Sequence, residues 1–329
     1  MPRPSPVVVP PVLLAAERDP NQLSAARRRG VVVRVRRGAY CLPDDLRADG
    51  PGGDEAVRRR TALARARAVH GQLRAAHVFS HVTAALLLGC VVWAAPHRTH
   101  VYQAYRASNR AADDVVRHRA ALAPDEITAV GDLPVTTMHR TVVDCALTMH
   151  PLEALVVADS ALRLGARRQD LLTLLEVRAG HRGIRRATRV IRAADGGAES
   201  AWETWVRYEM LRAGLPAPLT QMTVRTDRGV FRTDLGYERW ALGIEFDGAS
   251  KYRLDGVRPG HDPAREYLRE KARAEAIRRA GITLERVTAA DRRDIPALLA
   301  RLGSRLPPDV LRTARPDRYL PPTTGPWSR

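Results

Sequence analysis

Residues 230–247, VFRTDLGYERWALGIEFD, decide the fold of the C-terminal part of this chain. Apolar, aromatic and β-branched side chains on both sides of the turn at 238–240 predict two antiparallel strands, over residues 230–237 and 241–247. With Tyr237 opposite Leu242, Asp234 lies directly across from Glu245. Directly opposed Cβ atoms of an antiparallel pair are about 4.5–5.5 Å apart, so the register predicts two neighbouring carboxylates.

A third carboxylate joins them at the same edge of the predicted sheet. Side chains alternate between the faces of a strand, so Asp247 shares the face of Glu245. The neighbouring strand residues are apolar, and unpaired acids among them would carry a desolvation cost. A hard divalent cation relieves this repulsion, and Mg²⁺ uses one or two carboxylates together with water and phosphate oxygens. We therefore expect Mg²⁺ or Mn²⁺ on Asp234, Glu245 and Asp247, where it would polarise a phosphodiester.

The alternative is that these acids are exposed and pair with arginine. Asp234 and Glu245 have Arg232 and Arg253 as nearby candidate partners. A slip of one residue in the strand register would also move the carboxylates to opposite faces of the sheet.

The flanking segments extend the two strands into an α/β unit. Residues 199–211 and 262–280 have helical patterns that end at Gly214 and Gly281, while residues 221–226 and 282–287 are strand-like. The predicted order of elements is therefore α-β-β-β-α-β.

The motifs of this unit resemble the PD-(D/E)xK nuclease superfamily, in particular its very-short-patch-repair-like endonuclease domains. The matching residues are Glu203, Gly214-Leu215-Pro216, Gln221, Asp234 and Ile244-Glu245-Phe246-Asp247-Gly248. The resemblance implies a restriction-endonuclease-like core in which Asp234 and Glu245 hold the metal and Glu203 is an acid from the first helix.

One position departs from the pattern of that superfamily. Asp247 stands where the family has a lysine, two residues after the glutamate. The chain has only two lysines, Lys251 and Lys271, and Lys251 in the loop after the acidic strand is the preferred replacement for the missing catalytic charge.

The N-terminal part predicts a DNA-binding module. Residues 11–17 and 21–29 are helix-like, and a β-hairpin with arginines at its tip follows over residues 31–42. This order is typical of a winged helix-turn-helix, whose helix and wing contact DNA. The predicted DNA contacts are Arg27, Arg28, Arg29, Arg34, Arg36 and Arg37. An exposed basic hairpin without a ligand is the alternative.

Gly30 and the run Arg36-Arg37-Gly38-Ala39-Tyr40 are similar to the N-terminal winged-helix domain of AbiEi-type antitoxins. This resemblance implies promoter binding, and a cognate toxin as a possible partner.

Composition agrees with a nucleic-acid partner. The 329 residues carry a formal net charge of +18, with a pI near 11.0, and phosphate neutralisation with release of counterions favours binding of such chains to polyanions. The three cysteines are widely separated, and no apolar run is long enough to span a membrane, so we expect a cytoplasmic protein.

We expect an α/β multidomain chain. Its predicted parts are a winged helix (1–48), a connecting helix (49–76), a middle α/β domain (77–175), a basic linker helix (176–197), a restriction-endonuclease-like domain (198–305) and a flexible tail (306–329). In the middle domain Ser80, His81, His139 and Asp144 lack the spacing of a hydrolytic or metal site, so we interpret them as capping and packing residues.

Two functions fit this organisation: a Mg²⁺-dependent DNA endonuclease, or a DNA-binding antitoxin or transcriptional regulator with an inactive nuclease-like domain.

Overall fold

The computed structural model describes residues 7–47, 53–104, 112–247 and 263–323. Three β-sheets with surrounding helices lie within these ranges, which confirms the predicted mixed α/β class. Every helix in these ranges is too short or too polar to cross a membrane.

The N-terminal unit is a three-stranded sheet with helices beside it. Its elements are β1 (Leu13–Leu14), α1 (Pro20–Arg28), β2 (Val33–Arg36), β3 (Ala39–Cys41), α2 (Pro43–Leu46) and α3 (Gly53–Gln72), and the strand order is β1-β3-β2. The side chain of Asp19 starts α1 by accepting hydrogen bonds from the backbone N–H groups of Asn21 and Gln22, at 2.9 Å each.

The predicted hairpin and its preceding helix are present, but the helix expected over residues 11–17 is wrong. Leu13 and Leu14 pair with Tyr40 and Ala39 of β3 instead, and a single 3₁₀ turn follows at Ala15–Glu17. The edge of β3 offers this short segment backbone partners, which outweigh its helix-like composition.

The middle unit is a five-stranded mixed sheet covered by helices. Its elements are β4 (Val78–Phe79), α4 (His81–Leu87), β5 (Thr99–Tyr102), β6 (Val115–His118), β7 (Ile127–Val130), β8 (Leu133–Thr136), α5 (Met138–Thr148), α6 (Pro151–Arg163) and α7 (Arg168–Glu176). The strand order is β6-β5-β4-β8-β7, with β5 and β6 parallel.

The C-terminal unit has the predicted order α-β-β-β-α-β. After α8 (Ile184–Ala193), the elements are α9 (Ala201–Arg212), β9 (Leu219–Thr226), β10 (Gly229–Tyr237), β11 (Leu242–Asp247), α10 (Pro263–Arg279), β12 (Thr283–Thr288), α11 (Ile295–Gly303) and α12 (Pro308–Thr313). The strand order is β12-β11-β10-β9, and β11 pairs with β12 in parallel, so α10 lies on the crossover between them.

The prediction of a flexible tail after residue 305 is wrong for residues 306–323. Leu320 is 1% exposed in the main core, and the Tyr208 hydroxyl donates a hydrogen bond to the Pro321 carbonyl at 2.6 Å. Gly214 lets this segment approach, because a Cβ atom there would collide with the Arg315 carbonyl oxygen. The prolines of this segment therefore do not mark a flexible chain, and Pro308 is the first residue of α12.

A buried carboxylate connects the middle and C-terminal units. Asp159 of α6 accepts hydrogen bonds from the Asp195 backbone N–H at 2.7 Å, from the Thr204 hydroxyl at 2.8 Å and from the Arg207 guanidinium at 2.5 Å. The side chains of Asp159 and Arg207 are each 2% exposed. Around this polar contact the two units share one hydrophobic core, which includes Leu155 and Trp205.

Replacing Asp159 by asparagine should destabilise the protein strongly. The variant keeps the volume but leaves the Arg207 charge buried without its counterion, at a cost of about 3–5 kcal/mol in the free energy of unfolding. Urea denaturation measures the change. The control is Asp44→Asn, which removes an exposed ion pair with Arg47 and should cost less than about 1 kcal/mol. Equal effects of the two substitutions would contradict the connecting role of Asp159.

Candidate functional site

The backbone ladder between β10 and β11 ends where the predicted acidic site begins. The observed pairs are Tyr237 with Leu242, Gly236 with Gly243 and Leu235 with Ile244, which is the register expected from the sequence. The next pair would be Asp234 with Glu245. Instead, the Asp234 carboxylate accepts a hydrogen bond from the Phe246 backbone N–H at 2.8 Å.

β10 changes face at Asp234. Phe231 packs with Ile277 of α10, whereas Leu235 belongs to the core that contains Trp205 of α9, although strict alternation would place both on one face. The pairing with β9 also skips Asp234, and the opposite residue Gln221 has φ of +50°. Asp234 therefore stands at an irregularity between the two faces of the sheet, where groups from α9 and α10 can both reach it.

Glu203 approaches Asp234 from α9. It lies in the first turn of that helix, after the N-cap residue Ser200, and accepts a hydrogen bond from the Glu199 backbone N–H at 2.8 Å. Its side chain is buried, and this burial, together with the negative charge of Asp234, raises the pKa of Glu203 to about 7. The structure thus brings together two acids that are separated by thirty-one positions in the sequence.

Glu245 is paired with a cation from α10. The Arg273 guanidinium forms an ion pair and a short hydrogen bond with Glu245, and also donates to the Arg232 carbonyl oxygen at 2.6 Å. Burial disfavours the charge of Arg273, but the carboxylates of Glu245, Glu270 and Asp234 more than offset this and raise its pKa. The alternative interpretation named Arg232 as a partner of these acids. In the structure Glu245 pairs with Arg273, and Arg232 contributes its backbone carbonyl as a second acceptor for Arg273.

Asp247 completes an alternating row of charges. Arg286 of β12 lies 3.7 Å from the Asp247 carboxylate and 2.8 Å from that of Glu270. Glu245 and Asp247 therefore each pair with an arginine from a neighbouring element, Arg273 of α10 and Arg286 of β12.

The donor set fits Mg²⁺ in its chemistry, because every candidate ligand atom is a carboxylate oxygen. The arginine pairing keeps these oxygens apart. Within the described ranges, only His81, His100 and His118 form a group of three such side chains whose ligand atoms all lie within 4.8 Å of one another. For a metal to bind at the acids, Glu245 would have to exchange Arg273 for the ion.

Of the two lysines, only Lys271 lies within the described residues. Lys251 lies outside them, as does Arg253, and Lys271 is exposed on α10. Arg273, two positions after Lys271, is the cation that contacts Glu245. The sequence pattern missed it because arginine is common throughout the chain and nothing in the local spacing distinguishes this one.

The predicted DNA-contacting arginines differ in their surroundings. The side chains of Arg27, Arg28, Arg29, Arg34 and Arg37 are exposed on α1 and the hairpin. Arg36 is different, because its side chain is 8% exposed and its guanidinium forms an ion pair with Asp114 at 3.0 Å. This ion pair holds the hairpin against the middle unit.

No known family model matches this chain. Two uncharacterized proteins of Mycobacterium tuberculosis, Rv2248 of strain H37Rv and MT2308 of strain CDC 1551, are each 30% identical to it over 169 residues. The alignment covers 50% of this chain and 59% of each relative, so the chain spans less than two thirds of their length. The crystal structure of the RV2827C protein from Mycobacterium tuberculosis matches with a TM-score of 0.31 and 15% identity, over 55% of this chain and 71% of that chain.

The raised pKa of Glu203 predicts a pH-dependent stability. Between its ordinary pKa of 4.5 and its folded value of about 7, the carboxyl ionises in the unfolded chain but keeps its proton in the folded one, so stability falls as pH rises. Glu203→Gln removes this loss and keeps an oxygen acceptor for Glu199. The quantity to compare is the free energy of unfolding of the variant minus that of the wild type, both in EDTA. We expect this difference to grow by on the order of 2–3 kcal/mol from about pH 5 to about pH 8.

Urea denaturation at both pH values measures this gain. The control is Glu238→Gln, which changes an exposed carboxylate in the turn before β11 and should show the same difference from wild type at both pH values. A stability difference for Glu203→Gln that does not change with pH would show that the buried carboxyl does not hold its proton.

Proposed function

We propose that this chain is a DNA-binding protein whose C-terminal unit is an endonuclease that hydrolyses phosphodiester bonds with Mg²⁺ or Mn²⁺. One observation carries the proposal: acids from three different elements lie in one network of interacting charges. Asp234 interacts with Glu203, and both Asp234 and Glu245 interact with the half-buried guanidinium of Arg273. Acids with a nearby cation are the groups that a PD-(D/E)xK type of site requires, and the unit has the matching order of elements.

In this proposal Asp234, Glu245 and Asp247 hold the metal, which when bound supplies a positive charge that polarises the phosphodiester. Asp234 is positioned for this by the Phe246 backbone N–H. Glu203, with a pKa of about 7, can take up or release a proton near neutral pH. Arg273 would take the role that the family gives to a lysine. When Glu245 holds the metal, the Arg273 guanidinium would be free to stabilise the negative charge of the phosphate.

The basic N-terminal unit would bring DNA to this site. The exposed arginines on α1 and the hairpin form a cluster that attracts the phosphate backbone, in a chain with a net charge of +18. A DNA substrate and widely separated, unpaired cysteines both suit the cytoplasm, which we propose as the location of the protein.

A second function is favoured by a specific contact. The ion pair between Glu245 and Arg273 already neutralises the acid that the metal needs. If this pair persists in the presence of Mg²⁺, the C-terminal unit is an inactive nuclease-like domain, and the protein is a DNA-binding antitoxin or transcriptional regulator, with a cognate toxin as its partner.

Cleavage of supercoiled plasmid DNA distinguishes the two functions. We expect the wild type to cut the plasmid in Mg²⁺ or Mn²⁺ and not in EDTA. Asp234→Asn and Glu245→Gln should each lower the rate at least about 100-fold, because the carboxylates that hold the metal lose their charge. DNA binding, measured by fluorescence anisotropy in EDTA, should be unchanged in both variants.

The matched control is Asp227→Asn. Asp227 lies in the turn between β9 and β10 and pairs with Arg279, so its loss removes one acid from the same unit outside the site. Normal cleavage by this control is expected. DNA binding without cleavage by the wild type in any divalent ion would exclude the endonuclease and leave the regulator.

The N-terminal arginines should determine DNA affinity under either function. A variant with Arg27, Arg29 and Arg37 all replaced by glutamine loses three exposed charges. We expect weaker binding and a shallower dependence of the affinity on salt, by about 0.9 in the log–log slope for each phosphate that is no longer neutralised. Anisotropy titrations at several salt concentrations measure both quantities.

The control for this variant removes the same charge from the C-terminal segment. Arg312, Arg315 and Arg318 are also exposed, and their replacement by glutamine should leave the slope within error of wild type. Equal slopes for the two triple variants would show that binding follows the net charge and not the N-terminal surface.

A further inference from the structure

Three histidines of the middle unit lie side by side, although they are far apart in the sequence. For His81 this proximity replaces the interpretation as a capping or packing residue. His81 is the first residue of α4, His100 is on β5 and His118 is on β6. In the parallel pairing of β5 with β6, His118 is opposite Tyr102, two residues beyond His100, so both imidazoles project from one face. The His81 ring stacks on His118 with 3.7 Å between centroids.

The ring nitrogens of these histidines converge. His100 Nδ1 is 3.0 Å from His118 Nε2, and one nitrogen from each of the three rings lies within 4.8 Å of the other two. A tetrahedral site with metal–nitrogen distances of about 2.0–2.1 Å places its nitrogens about 3.3 Å apart. The pair His100–His118 is already close to that spacing.

The nitrogen lone pair of a neutral imidazole is the group that binds a metal ion. Because His100 and His118 are only half-buried, an ion can reach the cluster from solvent.

The backbone at His81 indicates that this arrangement is maintained at a cost. His81 has φ of +52°, in the left-handed region that a residue with a Cβ atom enters at an expense of roughly 1–2 kcal/mol. The Ser80 hydroxyl lies 3.0 Å from His81 Nδ1. When Nδ1–H donates to this oxygen, the lone pair is on Nε2, and such a contact orients a histidine ligand.

The positively charged residue near His81, Arg140, pairs with two carboxylates. Arg140 reaches the cluster from α5, and its guanidinium binds the carboxylates of Asp144 at 2.9 Å and Glu126 at 2.7 Å. It also donates to the Tyr102 hydroxyl at 3.0 Å. This arginine therefore carries its own counterions, which reduce its repulsion of a metal ion at the cluster.

We propose that His81, His100 and His118 bind one zinc ion, or a similar borderline divalent transition metal, in the middle unit. Three imidazole ligands select this class over Mg²⁺, which prefers oxygen. Three protein ligands leave a fourth position for water or another small ligand. This site is separate from the carboxylates of the C-terminal unit and does not depend on the endonuclease proposal.

The test is titration of the full chain with Co²⁺, followed by displacement with Zn²⁺. We expect one ion per chain, with the visible absorption bands of tetrahedral Co²⁺, which Zn²⁺ abolishes. His100→Gln and His118→Gln should each weaken binding at least about tenfold, because each removes a ligand. Ser80→Ala keeps all three imidazoles and should weaken binding about tenfold through His81 alone.

Two controls isolate the cluster. His70 and His77 form another histidine pair, with 3.1 Å between Nδ1 and Nε2, and His77→Gln should leave binding unchanged. Glu245→Gln should also bind normally, which separates this site from the acidic one. Circular dichroism in EDTA verifies that each variant is folded. Failure of the folded wild type to bind Co²⁺ or Zn²⁺, or normal binding by His100→Gln and His118→Gln, would overturn the proposal.

Discussion

The arrangement of the two large units depends on the buried carboxylate of Asp159. Its oxygens accept hydrogen bonds from the Asp195 backbone N–H, in the segment between α8 and α9, and from Thr204 and Arg207 on α9. One side chain of α6 thus sets the direction of α9. Within a low-dielectric core every one of these groups needs its partner, since none can turn to water instead. The orientation of α9 in turn decides where Glu203 meets the C-terminal sheet.

Asp234 imposes a similar constraint on that sheet. Its carboxylate takes the hydrogen bond that a backbone carbonyl would accept from Phe246 in a continuous ladder, so the strands separate there. Near this point the charge of Asp234 acts on both Glu203 of α9 and Arg273 of α10. A structural irregularity and a concentration of charge thus occur at one point, as is common at functional sites.

Much of the C-terminal unit could be predicted. The order of its elements and the pairing of Leu235 with Ile244 follow from turn residues and from the apolar pattern. The alternation rule failed at Asp234, because side-chain hydrogen bonding competed with the ladder. The prolines after residue 305 wrongly indicate a flexible tail, since nothing local shows that Leu320 is buried in the core.

Local patterns of this sequence determined the helices and strands of the C-terminal unit, the register of β10 against β11 and the identity of the candidate acids, because backbone preference and side-chain alternation act over a few residues. Tertiary structure alone decided which charges meet. Arg273 reaches Glu245 only after α10 crosses the sheet, and Arg36 reaches Asp114 only when the hairpin docks. Likewise, His100 and His118 converge only through strand pairing. Electrostatic and ligand contacts depend on distances in space, and packing between remote segments sets those distances.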